Sequence, residues 1–345
     1  MKIIVDAMGG DNAPLAPVEG ALRAVRELGV EITLTGGEAQ VNEALSQLGE
    51  AALPNGLELL PTTQVIEMED NPARAFRIKP DSSMTRGLEL LRDGKGDAFV
   101  SAGSTGALLS GATLVVKRIR GIRRAALAPL VPNSRGRMVL IDCGATADCT
   151  PEYLLQFAYM GSYYAKKTLS VSEPRVALLN IGVEPGKGMD LQRETYSLLE
   201  QAGREGRIRF IGNIEAREAL SEGSADVLVT DGFTGNIFLK TVEGSALTFN
   251  QALKELFLSG MQTKMAAAML KNGLSQFKKR FDSNEIGGTA MLGITKPVVK
   301  AHGSSNAYAF YNAIRQASEV SRSGILEDIA ENVEYMRLTS DRKDP

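Results

Sequence analysis

The stretch ADVLVTDGFTGNIFLK, residues 225 to 240, constrains the fold more than any other part of the chain. A short apolar run at 227–229 predicts a strand, Asp231-Gly232 interrupts it, and a helical apolar pattern begins at Ile237. A helix that starts in this way points free N–H groups and the positive end of its dipole into the turn. We therefore expect an anion to bind at the carboxyl end of this strand, with an ordinary capped strand-to-helix turn as the alternative.

Four other predicted strands end in similar glycine-rich turns. These are IIVDAMGGD (3–11), DAFVSAGSTGA (97–107), VLIDCGATAD (139–148) and VALLNIGVEPGKG (176–188). In an open α/β sheet, ligands bind outside the carboxyl ends of the strands. Five such ends predict one crowded polar cleft.

The rest of the chain alternates short apolar runs with segments of helical periodicity. The predicted strands lie at 3–5, 31–35, 57–60, 97–100, from 138, 175–180, 208–211 and 227–229, and the helices between them at 15–28, 38–48, 84–92, 105–116, 151–167 and 192–202. This alternation predicts an α/β fold, a doubly wound, mostly parallel sheet with helices on both faces. Length alone suggests about two domains, but we expect one α/β domain over 1–345. Residues 61–80 are predicted to form a long loop of functional or mobile character.

Composition excludes several classes of function. The net charge of −2 argues against a nucleic-acid binder. Cys143 and Cys149 are too few for a disulfide framework and do not have zinc-ligand spacing. The chain starts directly with a strand and contains no uninterrupted apolar stretch of about 18 residues, so we expect a cytoplasmic protein without a secretory signal or a spanning helix.

Residues 241–281 change in character and predict a basic helical hairpin that leaves the sheet, with a break at Ser259-Gly260 and an interruption near Asn272-Gly273. Six basic residues and one acidic residue lie between Lys254 and Phe281. The residues expected to contact a membrane are Leu256, Phe257, Leu258, Met261, Lys264, Met265, Met269 and Lys271. This pattern favours an anionic membrane surface or an acidic partner; the alternative is a core or dimer-interface stripe with solvated lysines.

A second basic run, at 117–124, holds five lysines and arginines. It is either a solvated turn or a surface that steers an acidic partner.

The polar residues of the strand ends suggest a site that binds an anion and stabilises charge on an oxygen. Candidates for catalysis are Lys187 and Asn236; candidates for substrate binding are Asp11, Gly103, Ser104, Thr105, Asn180, Asp231, Gly232, Gly235 and His302, which is the single histidine of the chain. Gly186-Lys187-Gly188 is not a complete P-loop, and there is no HExxH motif or defensible serine-histidine-acid set. Because no protein nucleophile is evident, the nucleophile is expected to come from a substrate, such as phosphate.

Six motifs in order resemble the bacterial acyl-[acyl carrier protein]:phosphate acyltransferases of phospholipid synthesis, known as PlsX. They are DAMGGDNAP (6–14), VSAGSTGA (100–107), LIDCGATAD (140–148), LLNIGVEPGKG (178–188), the stretch 225–240, and IGGTAMLG with AHGSSNA near the end. The resemblance covers essentially the whole chain.

The resemblance implies transfer of a fatty acyl group from the thioester of acyl carrier protein to inorganic phosphate. It also implies a phosphotransacetylase/isocitrate-dehydrogenase-like architecture, a homodimer, peripheral membrane association and no metal or organic cofactor. By position, Lys187 and Asn236 match the residues assigned to phosphate binding and to polarising the thioester carbonyl. The hairpin corresponds to the membrane-contacting element, and the basic run at 117–124 would receive the acidic carrier protein.

The chain departs from the usual family pattern at two positions. Ser104 and Thr146 stand where asparagine is more usual, and each replaces an amide by a shorter hydroxyl. The alternatives to the family activity are a phosphotransacetylase-like enzyme that uses coenzyme A and a non-catalytic scaffold that docks on membranes. A nicotinamide oxidoreductase is disfavoured, because no GxGxxG with an acidic residue about 20 positions further on is present.

Overall fold

The computed structural model describes residues 1–336 and places their strands in two sheets. The strands are β1 Lys2–Asp6, β2 Glu31–Gly36, β3 Leu57–Pro61, β4 Ala98–Ser101, β5 Ala126–Ala128, β6 Leu130–Asn133, β7 Gly136–Ile141, β8 Arg175–Asn180, β9 Arg209–Glu215, β10 Val227–Val229, β11 Gly288–Leu292 and β12 Val298–Ala301. The order in sheet 1 is β3-β2-β1-β4-β12-β11-β5, and in sheet 2 it is β6-β7-β10-β8-β9.

Most strand pairs are parallel. The exceptions are β11, which runs antiparallel to β12 and to β5, and β6, which runs antiparallel to β7. The carboxyl ends of β1, β4 and β12 therefore share one edge of sheet 1, and those of β7, β10 and β8 share one edge of sheet 2.

Helices cover the sheets. They are α1 Leu15–Leu28, α2 Glu38–Gln47, α3 Ala75–Ile78, α4 Ser83–Arg92, α5 Thr105–Gly111, α6 Pro151–Thr168, α7 Asp190–Arg204, α8 Ala216–Ser221, α9 Gly232–Leu258, α10 Met261–Met269, α11 Lys271–Phe281, α12 Ala307–Arg322 and α13 Ile325–Glu331. A π-helical turn, Ala112–Val116, extends α5, and 3₁₀ turns lie at Ser283–Glu285 and Val333–Met336.

The α/β fold with mostly parallel pairing is confirmed, although the strands are divided between two sheets. The hairpin begins with the long α9, and its break at Ser259-Gly260 is as expected. Its second interruption falls at Leu270, just before the position expected from Asn272-Gly273. The loop at 61–80 contains the one-turn α3. No helix of residues 1–336 is both long and apolar enough to span a bilayer.

One core cluster joins the two sheets. It includes Phe99 of β4 and Met291 of β11 from sheet 1 together with Leu140 of β7, Leu228 of β10 and Phe238 of α9, all of them buried. Because apolar side chains of both sheets share this cluster, the two sheets are packed against each other rather than separated by solvent.

The packing of α1 on α12 fixes where α12 begins. Gly20 of α1 faces α12 so closely that an added Cβ would lie 2.5 Å from Cβ of Phe310 and 2.9 Å from the carbonyl oxygen of Ala307. A glycine is therefore required at this crossing. The amino end of α12, which follows β12, is held at the carboxyl edge of sheet 1 by this contact.

We predict that Gly20→Ala lowers the free energy of unfolding by about 1–3 kcal/mol, because the methyl group overpacks the α1–α12 contact. Urea denaturation measures the effect. Gly244→Ala is the matched control, since a Cβ added there on α9 meets no described atom within 4 Å beyond its own helical turn, and it should be neutral or stabilising by up to about 1 kcal/mol. Equal effects of the two changes would contradict the proposed role of the α1–α12 contact.

Candidate active site

A cavity of about 390 Å³ lies where the strand ends of the two sheets face each other. From sheet 1 it is lined by Asp11, Thr105, Lys300, Ala301, His302, Gly303, Ser304 and Ser305, and from the β7 end and α9 by Cys143, Asn236, Leu239, Lys240 and Glu243. Met68 of the 61–80 loop also lines it. Of the five strand ends expected to form one polar cleft, the described turns after β1, β4, β7 and β10 contribute to this cavity, whereas the turn after β8 does not.

A buried carboxylate connects the ends of β1 and β4. Asp6 accepts hydrogen bonds from Oγ of Ser101 at 2.7 Å and from the N–H of Met8 at 3.1 Å. Burial raises the pKa of Asp6 in spite of these bonds. An added Cβ on Gly9 would lie 2.6 Å from the nitrogen of Gly103, so the two glycine-rich turns are in direct backbone contact.

The DAMGGDNAP loop also supports the turn before α12. The N–H of Asp11 donates to the carbonyl of Gly303 at 2.8 Å. Nδ2 of Asn12 lies 3.2 Å from the carbonyl oxygens of both Ser304 and Ser305. Residues separated by about 290 positions in the chain thus form one wall of the cavity.

On the other wall, the β7 strand end is organised by Asp142. Its buried carboxylate accepts N–H groups of Cys143, Ala145 and Thr146, and of Leu127 from sheet 1 at 2.8 Å. Burial raises the pKa of Asp142 to about 6. This residue, which connects the two sheets, is not among the sequence-derived candidates.

The amino end of α9 packs directly on this strand end. Asp231 caps the helix, accepting the N–H and the hydroxyl of Thr234, both at 2.8 Å. An added Cβ on Gly235 would lie 2.0 Å from the carbonyl oxygen of Asp142. Asp231 and Gly235 therefore determine the position of α9, which carries Asn236.

Asn236 reaches the cavity from α9. Gly144 has φ of +101°, and a Cβ added to it would lie 2.8 Å from Nδ2 of Asn236. The absence of a side chain at position 144 leaves space for this carboxamide. Asn236 can present a donor to an oxygen in the cavity.

The β8 strand end is held by Asn180. Its Nδ2 donates to the carbonyl of Lys187 at 3.1 Å and its Oδ1 accepts the N–H of Ile181 at 2.8 Å. Lys187 is half exposed, and its Nζ lies 4.0 Å from Oε2 of Glu184. Among the residues described, Lys187 does not line the cavity, and its assignment to phosphate binding stays a prediction.

Of the sequence-derived candidates, Asp11, Thr105, Asn236 and His302 line one cavity. Gly103 and Ser104 are placed just before Thr105: the N–H of Gly103 bonds to Ser101, and Oγ of Ser104 caps α5. Gly232 donates its N–H to the carbonyl of Thr146 at 2.8 Å. Their backbone or capping interactions shape the cavity walls.

Two lysines that line the cavity, Lys240 and Lys300, are not among the sequence-derived candidates. Nζ of Lys240 lies 3.3 Å from Nε2 of His302 and 2.8 Å from Oε2 of Glu243. Lys300 lies in β12, among buried apolar neighbours, and desolvation lowers its pKa to about 8. A lysine inside an otherwise apolar strand is the sequence signal that could have identified it.

Desolvation of the imidazole, followed by the nearby charge of Lys240, lowers the pKa of His302. Its ring is therefore mostly neutral at pH 7. Nδ1 of His302 lies 2.8 Å from Oγ of Ser304. The histidine connects α9 to the turn that precedes α12.

The basic run at 117–124 lines a second, larger cavity of about 1010 Å³ with Tyr153 and Gln156 of α6. Gln156 accepts the N–H of Arg123 at 2.8 Å and donates to the carbonyl of Gly121 at 3.0 Å. The run is thus an ordered turn on α6, with an open basic surface.

The hairpin exposes its apolar residues. Met261, Met265 and Met269 follow one another at a spacing of four along α10 and are 80%, 65% and 86% exposed. Leu256 and Leu258 are also exposed, Phe257 is half-buried, and Lys264 and Lys271 are exposed beside them. At the base of the hairpin, α8, α9 and α11 enclose an apolar cavity of about 500 Å³ lined by Phe238, Phe249, Phe277 and Phe281.

Comparison with known proteins identifies relatives over nearly the whole chain. A family profile described as "Fatty acid synthesis protein" matches residues 1–328. The phosphate acyltransferase of Clostridioides difficile is 44% identical over 330 residues, 95% of each chain. That of Alkaliphilus oremlandii is 46% identical over 333 residues, 96% of this chain and 97% of the relative.

Solved structures with similar folds are more distant in sequence. A phosphotransacetylase from Streptococcus pyogenes superposes with a TM-score of 0.63 at 19% identity, covering 95% of this chain and 94% of its own. A branched-chain phosphotransacylase from Enterococcus faecalis has a TM-score of 0.54 at 16% identity, covering 92% and 99%. These two likenesses establish the fold, as expected for a phosphotransacetylase-like architecture.

Proposed function

The chain belongs to the phosphate acyltransferase family, and from this premise we propose that it transfers a fatty acyl group from acyl carrier protein to inorganic phosphate. The product is an acyl phosphate for phospholipid synthesis. The observation that carries the proposal is the cavity between the sheets, where the carboxamide of Asn236 faces a wall that bears Lys300, His302 and Ser305.

In the proposed reaction, an oxygen of phosphate attacks the thioester carbonyl carbon. A carbon–oxygen bond forms, the carbon–sulfur bond breaks, and the electron pair leaves with the sulfur of the carrier, which takes up the proton released by the phosphate. Asn236 donates to the carbonyl oxygen as negative charge develops on it. Lys187 supplies positive charge to the phosphate from the loop after β8, the strand that neighbours β10.

The thiol in the cavity is poorly suited to replace phosphate as the nucleophile. Cys143 lines the cavity, but burial and the charge of Asp142 raise its pKa to about 12. The reactive form of cysteine is the thiolate, which is scarce at neutral pH when the pKa is so high. This supports a reaction in which the enzyme positions two substrates and stabilises charge.

The basic run at 117–124 is the proposed docking surface for the acidic carrier protein. Arg118, Arg123 and Arg124 line the open cavity of about 1010 Å³ there. Opposite charges on two protein surfaces accelerate association and select the partner. Coenzyme A is the alternative acyl donor.

A donor assay tests the function. We expect purified protein to form acyl phosphate from acyl carrier protein thioester only when inorganic phosphate is added, and to consume the coenzyme A thioester much more slowly. Preference for coenzyme A would favour a phosphotransacetylase-like activity. No turnover with either donor by folded protein would favour the membrane-docking scaffold instead.

Two substitutions test the proposed roles in the site. Asn236→Ala should lower kcat by about 10²–10³-fold through loss of an oxyanion donor, and Lys187→Ala should abolish turnover with the fold intact. Asn55→Ala and Lys95→Ala, at exposed positions, are the controls and should retain activity. Near-normal rates for either site variant, with unchanged circular dichroism, would overturn the corresponding role.

We propose that the hairpin contacts the cytoplasmic face of the cell membrane, so that the enzyme is a peripheral membrane protein. We also propose that the enzyme is a homodimer. Exposed methionines and leucines beside lysines suit the boundary between headgroups and acyl chains of an anionic bilayer. The same exposed stripe could instead bury itself against a second copy of the chain.

Vesicle sedimentation separates these two uses of the hairpin. Met265→Glu combined with Met269→Glu should weaken binding to anionic vesicles by roughly 10- to 100-fold, since apolar burial is lost and repulsion is added. Ala51→Glu with Ala52→Glu, two exposed positions outside the hairpin, adds the same charge and should bind like the parent. If the hairpin variant binds vesicles normally but is a monomer where the parent is a dimer, as measured by sedimentation without vesicles, the stripe is a dimer interface.

A further inference from the structure

Lys300 is a partly buried cation that has no carboxylate partner within the described part of the chain. Its Nζ donates to the carbonyls of Ala102, at 3.3 Å, and Ala301. Among residues 1–336 it makes no salt bridge, although Asp6 and Asp11 are near enough to favour its charge. An ammonium group has three donors, and removing its charge from water without an anionic partner is costly. Lys300 lines the cavity, so an anion there could supply that partner.

Ser305 provides a second, independent sign of a missing ligand. It is 2% exposed and lines the same cavity, and its Oγ has no hydrogen-bond partner among the described residues. Buried hydroxyls are rarely left unpaired, because the loss of hydration is then uncompensated. Ser305 lies two residues before α12, where the first N–H groups of the helix lack intrahelical acceptors.

Among the described residues that line the cavity, Lys300 is the cation left available to a ligand. Lys240 is paired with Glu243 at 2.8 Å. His302 has a lowered pKa and is mostly neutral at pH 7. The carboxylates of Asp11 and Glu243 also line the cavity, so the favourable position for an anion is the inner side, between Lys300 and Ser305.

We propose that Lys300, Ser305 and the amino-terminal turn of α12 bind the attacking inorganic phosphate, on the wall opposite Asn236. This assignment rests on the proposed acyl transfer to phosphate, which it extends by locating the nucleophile. Phosphate bound to these residues of sheet 1 faces the thioester carbonyl, which Asn236 polarises from the sheet 2 wall.

Binding of inorganic phosphate alone, measured by phosphorus NMR titration at constant ionic strength, tests the site without any acyl donor. Lys300→Met should weaken binding by roughly 10- to 100-fold, the effect of losing one charged hydrogen bond. Ser305→Ala should weaken it several-fold. Lys296→Met, at an exposed position just before β12, is the matched control and should bind like the parent.

Steady-state kinetics provide a second measurement. Lys300→Met should raise KM for phosphate by a similar factor and leave KM for the acyl donor unchanged. A purely structural lysine would instead change both constants and the unfolding temperature. If Lys300→Met does not fold, Ser305→Ala decides the question, because it removes only a hydroxyl without a partner.

The pH dependence offers a separate signature. Because the pKa of Lys300 is about 8, phosphate affinity should decline above that value as the ammonium loses its proton, by at most the factor that Lys300→Met costs. Asp6, Asp11, Lys240, His302 and Glu243 are the other titratable groups around this position, and they remain in Lys300→Met. That variant should therefore lose the decline above pH 8.

The outcomes separate this site from the proposed function. Unchanged phosphate binding by Lys300→Met and Ser305→Ala overturns the site, even if the enzyme makes acyl phosphate. Lys300-dependent phosphate binding by a protein that transfers no acyl group retains the anion site and overturns the function. Equal weakening by Lys296→Met would show a general charge effect and would also overturn the site.

Discussion

The hydrogen bonds of the Asp142 carboxylate are the interaction on which the cavity depends. One of its oxygens accepts the N–H of Leu127 in sheet 1 at 2.8 Å, while both oxygens accept N–H groups of the β7 turn. The same residue's carbonyl lies against Gly235 at the start of α9. Four backbone donors are thus satisfied by one buried side chain, which fixes the two sheets and α9 relative to each other.

The polar groups of the cavity lie on two walls that come from different sheets. Sheet 1 offers cationic and hydroxyl groups held by Asp6 and Asn12, whereas sheet 2 offers the carboxamide of Asn236. Among the described residues, Oγ of Ser305 is the buried side-chain atom of these walls that lacks a hydrogen-bond partner, and Lys300 uses two of its three donors on backbone carbonyls, so most of each wall is organised before substrate binds. Such preorganisation reduces the rearrangement needed when charge develops during the reaction.

The sequence predicts the local parts of this arrangement well and the long-range parts poorly. Glycine-rich turns after apolar runs are local signals, so the cleft, the start of α9 and the position of Asn236 beside the cleft could be expected. Which polar side chains face the cavity depends on how two sheets pack. Asn180 and Asp231 bond to their own loops, while Lys300, inside an apolar strand, becomes a cavity residue only when β12 pairs with β4.

Helix α9 joins the cavity to the exposed hairpin and sets the distance between them. Asn236 and Leu258 are 22 residues apart on one continuous helix, which corresponds to about 33 Å at 1.5 Å per residue. Asn236 and Lys240 face the cavity, whereas Phe238, Val242 and Phe249 face the apolar cavity at the base of the hairpin. The membrane contact proposed for the hairpin would therefore engage one end of α9, while Asn236 and Lys240 line the cavity near its other end.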